Sequence, residues 1–122
     1  EFFAPKGIKM QFVLKEYEEG KAYCYRHTDA DGNVLCTFKG VVHEMTAPQR
    51  IIVTSELEEL PEWGHVVLEI YEFTSLDGNK TKLTIQDVCR SVENRDAMIK
   101  SGMEGGLVSI FNNLDELLKA GL

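Results

Sequence analysis

The amino-acid sequence predicts an α+β fold, in which a curved antiparallel β-sheet of about six strands is followed by one long C-terminal helix. Between residues 8 and 90, apolar and polar residues alternate in short runs, as they do in strands with one buried face. Clusters of Asp, Asn and Gly separate these runs, and no helical period interrupts them, which favours hairpins over parallel βαβ units. After Ser91 the apolar residues instead recur at helical spacing.

The predicted strands follow one another through short turns, so we expect neighbours in sequence to pair as an antiparallel meander. The stretch DADGN at 29–33 is the clearest hairpin turn, because Asp, Asn and Gly tolerate positive φ. A second turn falls at 46–48, and a longer loop containing Trp63 falls at 58–64. The predicted strands cover residues 8–16, 21–28, 34–45, 50–57, 66–74 and 81–90.

The C-terminal segment is predicted to be one helix of more than about twenty residues, with Ser91 as N-cap and Gly121 at its end. Its apolar stripe is formed by Ile99, Met103, Leu107, Ile110, Leu114 and Leu117. Gly106 falls inside this stripe, Gly102 at its edge and Gly105 further round. Each glycine costs a helix roughly 1 kcal/mol relative to alanine, so we expect Gly106 to leave space for another backbone, a bulky side chain or a ligand.

The size and charge of the chain limit the classes of partner. A length of 122 residues suits a single domain, 1–122, with its own hydrophobic core. The formal charge of −7 disfavours nucleic acid and anionic membranes, because binding phosphate requires clustered Lys and Arg. No apolar run approaches the ~18 residues that span a bilayer.

The three cysteines indicate a reducing compartment. Cys24, Cys36 and Cys89 show no CxxC spacing and lie in apolar, strand-like runs, so they are interpreted as small buried residues of a cytoplasmic protein. Cys24 and Cys36 flank the hairpin turn at 29–33. Neighbouring cysteines on antiparallel strands are usually free thiols, so no structural disulfide is expected.

The sequence contains no recognisable catalytic, metal or cofactor motif. Cys24 and His27 are three residues apart in a strand and therefore point to opposite faces, so they are not expected to chelate one metal ion. Asp87 is the polar residue of interest, because it shares strand parity with Leu83, Ile85 and Cys89. It either faces the helix-covered side of the sheet, where a carboxylate needs a partner or takes a raised pKa, or lies exposed at an edge.

Three stretches together resemble a known family. They are GVVHEMTAPQRIIVTSEL at 40–57, NKTKLTI at 79–85 and RDAMIKSGMEGGLVSIFNNLDELL at 95–118. The chain is similar to the SRPBCC, or START-like, superfamily, and within it to the family that resembles the C-terminal domain of the activator of the heat-shock-protein-90 ATPase. Leu107 departs from that pattern, which usually has an aromatic residue there. The opening EFFAPKG at 1–7 resembles the end of an N-terminal segment, so the preceding strand and two short helices of the family are expected to be missing.

This resemblance implies a helix-grip fold, with a hydrophobic cavity between the sheet and the C-terminal helix. It also implies binding of a small apolar ligand. From the lack of a cofactor motif we expect no cofactor, and from the cysteine pattern a cytoplasmic protein. Alternatives are a solid core at the same positions, a module that binds a chaperone or pairs as a homodimer through its open sheet edge, and a cyclase-type or hydrolase-type enzyme in which Asp87 acts. No catalytic residue or metal ligand is assigned. The expected cavity residues are Phe12, Phe38, Val53, Leu68, Leu83, Asp87, Ile99, Met103, Gly106, Leu107 and Ile110.

Overall fold

The computed structural model of the protein describes residues 4–15, 17–60 and 64–121, without the side chain of Lys15. Trp63 and the first three residues of the opening segment lie outside the described residues. The described chain forms six strands and then two helices. The strands are β1 (Lys9–Lys15), β2 (Ala22–Thr28), β3 (Val34–Thr46), β4 (Arg50–Leu57), β5 (Val67–Leu76) and β6 (Lys80–Val88).

The six strands form one antiparallel meander in the order β1-β2-β3-β4-β5-β6. The predicted topology is therefore confirmed, and no strand end differs from its predicted position by more than two residues. The register shifts along β1, at the end of β2 and in the middle of β3, between Val42 and Glu44. Such bulges bend a strand and increase its twist, which suits a sheet that curves.

The β2–β3 turn forms around Asp29, as its composition predicts. One carboxylate oxygen of Asp29, Oδ1, accepts hydrogen bonds from the backbone N–H groups of Asp31 and Asn33, each at 2.9 Å. Gly32 has φ +85°, a conformation that glycine adopts without steric cost. The hydrogen bonds from Asn33 and Asp31 hold the pKa of Asp29 below its ordinary value. This turn fixes the register in which β2 and β3 pair.

Most of the buried core lies on β2, β3 and β4. It consists of Tyr23, Tyr25, Val42 and Val53, and both valines are almost fully inaccessible. Partly buried apolar side chains extend this core along the sheet; they are Met10, Phe38, Met45, Ile51 and Tyr71. The core is therefore a band along the sheet.

Gly40 is a position where only glycine fits. A Cβ atom at Gly40 would lie 1.8 Å from the carbonyl oxygen of Thr54 and 2.9 Å from the hydroxyl of Tyr23. The Tyr23 O–H group donates a hydrogen bond of 2.6 Å to that same carbonyl oxygen. The glycine that opens the first resembling stretch thus allows a buried tyrosine to bond the backbone of β4.

The C-terminal segment forms two helices, so the prediction of one uninterrupted helix is wrong in this respect. Helix α1 covers Val92–Lys100 and helix α2 covers Met103–Lys119. Gly102 has φ +84° and ψ 14°, in the left-handed region, and cannot continue a right-handed helix. Ser101 closes α1, because its Oγ donates a 2.6 Å hydrogen bond to the carbonyl of Met98.

Both predicted ends of the helical segment are confirmed. The Ser91 hydroxyl accepts a 3.1 Å hydrogen bond from the backbone N–H of Asn94, as an N-cap does. Gly121 follows α2 with φ +84°, the conformation of a helix-terminating glycine. The break at Gly102 restarts the helical phase, and so the apolar stripe of α2 does not extend to Ile99, which is 62% exposed.

The segment before β1 is attached to α2. The side-chain amide of Asn113 donates a 2.8 Å hydrogen bond to the carbonyl of Ala4, and the backbone N–H of Lys6 donates one of 3.0 Å to the hydroxyl of Ser109. Ala4 is only 2% exposed. These contacts place Pro5 at the wall of the space between the helices and the sheet.

The three cysteines are free thiols, as the sequence predicts. Cys24 lies opposite Lys39, whereas Cys36 lies opposite His27. Because side chains alternate along a strand, Cys24 points away from the face to which His27 and Cys36 belong. The fold therefore separates the two thiols that flank the hairpin turn.

Candidate ligand-binding cavity

A cavity of about 490 Å³ lies between the sheet and the two helices. Strands β2 to β5 contribute large apolar and aromatic side chains to its lining, including Tyr25, Phe38, Leu57, Val67 and Tyr71. The helices contribute Met98, Met103, Leu107 and Ile110. Lining residues that are also exposed, such as Leu60, Val66 and Arg90, mark the side on which the cavity meets solvent.

Six of the expected cavity residues lie in this lining. Phe38 comes from β3 and Asp87 from β6, while Met103, Gly106, Leu107 and Ile110 come from consecutive turns of α2. Ile110 is the most buried of the α2 residues, at 7% exposed. The helical spacing that predicted one apolar face of α2 thus places these four residues together.

The other five expected residues lie outside the lining. Phe12 is on the edge strand β1, where its ring contacts that of Tyr25 at a centroid distance of 6.0 Å. Val53 is covered by its core neighbours, and Ile99 points to solvent from α1. These positions share apolar character with the cavity lining, but their places in the sheet and on α1 direct them elsewhere.

Leu68 and Leu83 are excluded by parity and by position along the strand. Leu68 alternates with Val67 and Glu69, which face the cavity, so its side chain points to the opposite face of the sheet. Leu83 shares the inner parity of β6 but pairs with Phe73, four residues along β5 from Glu69. Neither residue reaches the cavity.

The glycines at the start of α2 do not mark a close approach to the sheet. Apart from the chain neighbours and the backbone of α2 itself, a Cβ atom added at Gly102, Gly105 or Gly106 would meet no described atom within 4 Å. Gly102 is required by its positive φ, whereas Gly106 has helical geometry and lines the cavity. Neither another backbone nor a bulky side chain of the described residues occupies the space beside Gly106, so of the three expected occupants only a ligand is left as a candidate.

Two carboxylates face each other inside the cavity. Glu69 on β5 is directly opposite Asp87 on β6, and both line the cavity. The hydroxyl of Tyr71 donates a 2.9 Å hydrogen bond to Oε2 of Glu69. Burial and, to a lesser degree, the charge of Asp87 raise the pKa of Glu69, although the hydroxyls of Tyr71 and Ser55 oppose this shift.

Asp87 therefore faces the helix-covered side of the sheet, the first of the two alternatives that its parity left open. Burial raises its pKa. Its Oδ1 atom is buried and accepts no hydrogen bond from the described residues. The sequence interpretation identified Asp87 but missed Glu69. The signal was available, because Glu69 shares a strand face with Tyr71 and Phe73, just as Asp87 shares one with Ile85.

Aromatic rings form one wall of the cavity. The ring of Tyr25 lies 5.2 Å from that of Phe38 and 5.6 Å from the imidazole of His27. His27 is 8% exposed and also contacts Phe38, edge to face, at 5.2 Å. The large, close-packed rings give this wall a fixed shape, whereas the methionines of the helices supply flexible side chains opposite.

Among the described residues, no group of three or more His, Cys, Asp and Glu side chains is arranged to hold a metal ion. Neither helix in the described part of the chain is long and apolar enough to cross a membrane.

A six-stranded antiparallel meander, covered on one face by C-terminal helices with a cavity between them, defines the helix-grip class of α+β domains. The sequence model of the family described as "Activator of Hsp90 ATPase homolog 1-like protein" matches residues 2–119, and the chain belongs to this family. The resemblance drawn from the three sequence stretches is therefore confirmed. A search of the curated proteins found no significant match.

Several solved structures share this fold. Protein Ms6760 from Mycobacterium smegmatis superposes with a TM-score of 0.83 at 21% identity, covering 100% of this chain and 76% of that one. A protein from Rhodobacter sphaeroides gives a TM-score of 0.81 at 22% identity, with 95% and 73% covered. A protein from Arthrobacter aurescens gives 0.81 at 21% identity, with 98% and 70% covered. At this level of identity the likeness concerns the fold alone.

Proposed function

We propose that the protein binds a small, largely apolar molecule in the cavity between the sheet and the helices. The observation that supports this proposal is the cavity itself, with a volume of about 490 Å³ and a mainly apolar and aromatic lining. Ligand pockets in proteins typically measure about 300–1,000 Å³ and combine such a lining with a few polar groups. The free cysteines agree with binding in the reducing cytoplasm.

Removal of apolar surface from water would drive this binding. An apolar ligand that loses about 200 Å² of accessible surface gains about 5 kcal/mol at roughly 25 cal/mol per Å². The loss of translational and rotational freedom offsets part of this gain. The affinity therefore depends on how completely the ligand fills the space between the ring wall and α2.

Two leucine substitutions at neighbouring glycines test the proposal. Gly106→Leu places a side chain in the open space beside the cavity, whereas Gly105→Leu, one residue earlier on α2, adds the same side chain at an exposed position. Binding is measured by displacement of an environment-sensitive dye and by native mass spectrometry with a panel of small apolar compounds. We expect Gly106→Leu to weaken binding and Gly105→Leu to leave it unchanged.

The matched pair separates occupancy of the cavity from surface adsorption. Both variants remove a helical glycine, so both are expected to gain helix stability, and a difference in binding reflects the cavity. Equal binding by the two variants would place the ligand elsewhere. Absence of binding by the unsubstituted protein across the whole panel would reject the proposal.

A second candidate function rests on the family description, which names an activator of the Hsp90 ATPase. The surface proposed for a chaperone partner is the edge strand β1, on which Val13 is 52% and Leu14 41% exposed. A steady-state ATPase assay of a purified Hsp90-type chaperone tests this candidate. Stimulation that is lost on Val13→Lys supports it, and an unchanged ATPase rate with no complex in a pull-down refutes it.

A further inference from the structure

We propose that the ligand of this cavity is an apolar amine, whose protonated nitrogen binds between Glu69 and Asp87. This inference rests on the proposed function, since it concerns what occupies the same cavity. It adds a chemical class to the ligand and a polar anchor to an otherwise apolar site.

The first argument is the position of the two carboxylates. Glu69 and Asp87 are direct cross-strand partners, and both lie in the cavity lining. Like charges directly opposite each other destabilise a sheet. A cation that enters the cavity between them converts this repulsion into two attractions.

The second argument concerns hydrogen-bond acceptors. Glu69 accepts a hydrogen bond from the hydroxyl of Tyr71 at Oε2. The Oδ1 atom of Asp87 is buried and accepts none from the described residues, although Asp87 lines the cavity. Because the Asp87 side chain as a whole is only partly buried, rotation of its carboxylate would bring this oxygen to a donor in the cavity.

The third argument is the chemistry of the donor. An ammonium group carries three N–H donors and a positive charge, and hydrogen bonds between ionised partners are roughly twice as strong as neutral ones. A hydroxyl offers one neutral donor, and a carboxylate would be repelled by both acids. The remaining ionisable side chains of the lining are Tyr25, His27, Glu56, His65, Tyr71, Cys89 and Arg90. Arg90 belongs to the exposed side of the cavity.

Three probes that share a naphthalene ring test the inference: the amine naphthylethylamine, the alcohol naphthylethanol and the carboxylate of naphthylacetic acid. Dissociation constants are measured at neutral pH by isothermal titration calorimetry. We expect the amine to bind about tenfold more tightly than the alcohol, from the difference between a charged and a neutral hydrogen bond, and the carboxylate to bind most weakly. Asp87→Asn and Glu69→Gln remove a charge at nearly constant shape, and each should abolish most of the amine preference over the alcohol.

A matched control is Glu72→Gln, on β5 like Glu69 but exposed on the opposite face of the sheet, where the amine preference should persist. If the unsubstituted protein binds all three probes equally, or prefers the acid, the amine proposal is overturned while binding in the cavity stands. If no probe binds but compounds of the apolar panel do, the amine proposal alone fails; if nothing in the panel or among the probes binds, both proposals fail. The comparison of probes on the unsubstituted protein decides the matter even where a variant does not fold.

Discussion

The three glycines near the start of α2 should respond to alanine substitution in opposite ways. Gly102 has φ +84°, and a left-handed conformation costs a residue with a Cβ atom roughly 1–2 kcal/mol. Gly105 lies inside α2 with open space around its Cβ position, so alanine there should recover most of the roughly 1 kcal/mol that a helical glycine costs. We therefore expect Gly102→Ala to destabilise the protein and Gly105→Ala to stabilise it.

These free energies translate into measurable melting temperatures. For a domain of this size, 1 kcal/mol shifts the thermal midpoint by about 4 °C. Gly102→Ala should lower the midpoint by about 4–8 °C and Gly105→Ala should raise it by about 4 °C, as followed by circular dichroism. Gly102→Asn is the matched control, because asparagine tolerates the left-handed region better than alanine does, and its loss should be smaller.

The expected order of stability is Gly105→Ala, the unsubstituted protein, Gly102→Asn and then Gly102→Ala. A Gly102→Ala protein at least as stable as the unsubstituted one would mean that the segment forms a continuous helix, as the sequence predicts, and would refute the division at Gly102. Equal destabilisation by Gly102→Ala and Gly105→Ala would show that a side chain at position 105 meets other atoms instead of open space.

Three further predictions follow from particular contacts. Gly40→Ala should lower the free energy of unfolding, measured in urea, by about 1–3 kcal/mol, because the added Cβ would overlap a backbone carbonyl of β4. Gly78→Ala is the comparison, since its Cβ meets no described atom and only its positive φ is unfavourable. Burial raises the pKa of Glu69 and of Asp87, so the folded state holds protons that the unfolded state releases. The free energy of unfolding should therefore fall as the pH rises from the ordinary pKa values of 4.5 and 3.8 through the raised values of the folded state. The double variant Glu69→Gln/Asp87→Asn should lose this component of the pH profile. Asn113→Ala should cost about 1 kcal/mol and increase proteolytic cleavage before β1, because it removes the hydrogen bond to the opening segment; unchanged cleavage would contradict that role.

The cavity was predictable from the sequence on its helical side and less so on its sheet side. Met103, Leu107 and Ile110 share one face of α2 by spacing alone, and all three line the cavity. On the sheet, apolar character does not distinguish a residue under the helices from one in the packed core or on the other face. Val53 and Leu68 were expected in the cavity for their apolar character, yet they lie in the core and on the opposite face.

The acid pair shows a different limit. Alternation along β6 was enough to suggest that Asp87 could face inward, and the same alternation along β5 would have indicated Glu69. That the two meet depends on the register between β5 and β6, which pairs Glu69 with Asp87. A shift of one residue would send one of the two carboxylates to the other face.

The order and nearly the bounds of the six strands, the antiparallel meander and both ends of the helical segment are predictable from the amino-acid sequence. These features depend on local chemistry: alternation of period two, turn residues that tolerate positive φ, and a capping serine at the helix start. The division of the helix at Gly102 becomes visible only in the folded chain, because a glycine in the sequence is compatible both with a costly position inside a helix and with a left-handed link between two helices. The tertiary structure also decides which apolar residues surround open space and which fill the core, since both sets satisfy the same pattern and differ only in what the folded chain places against them.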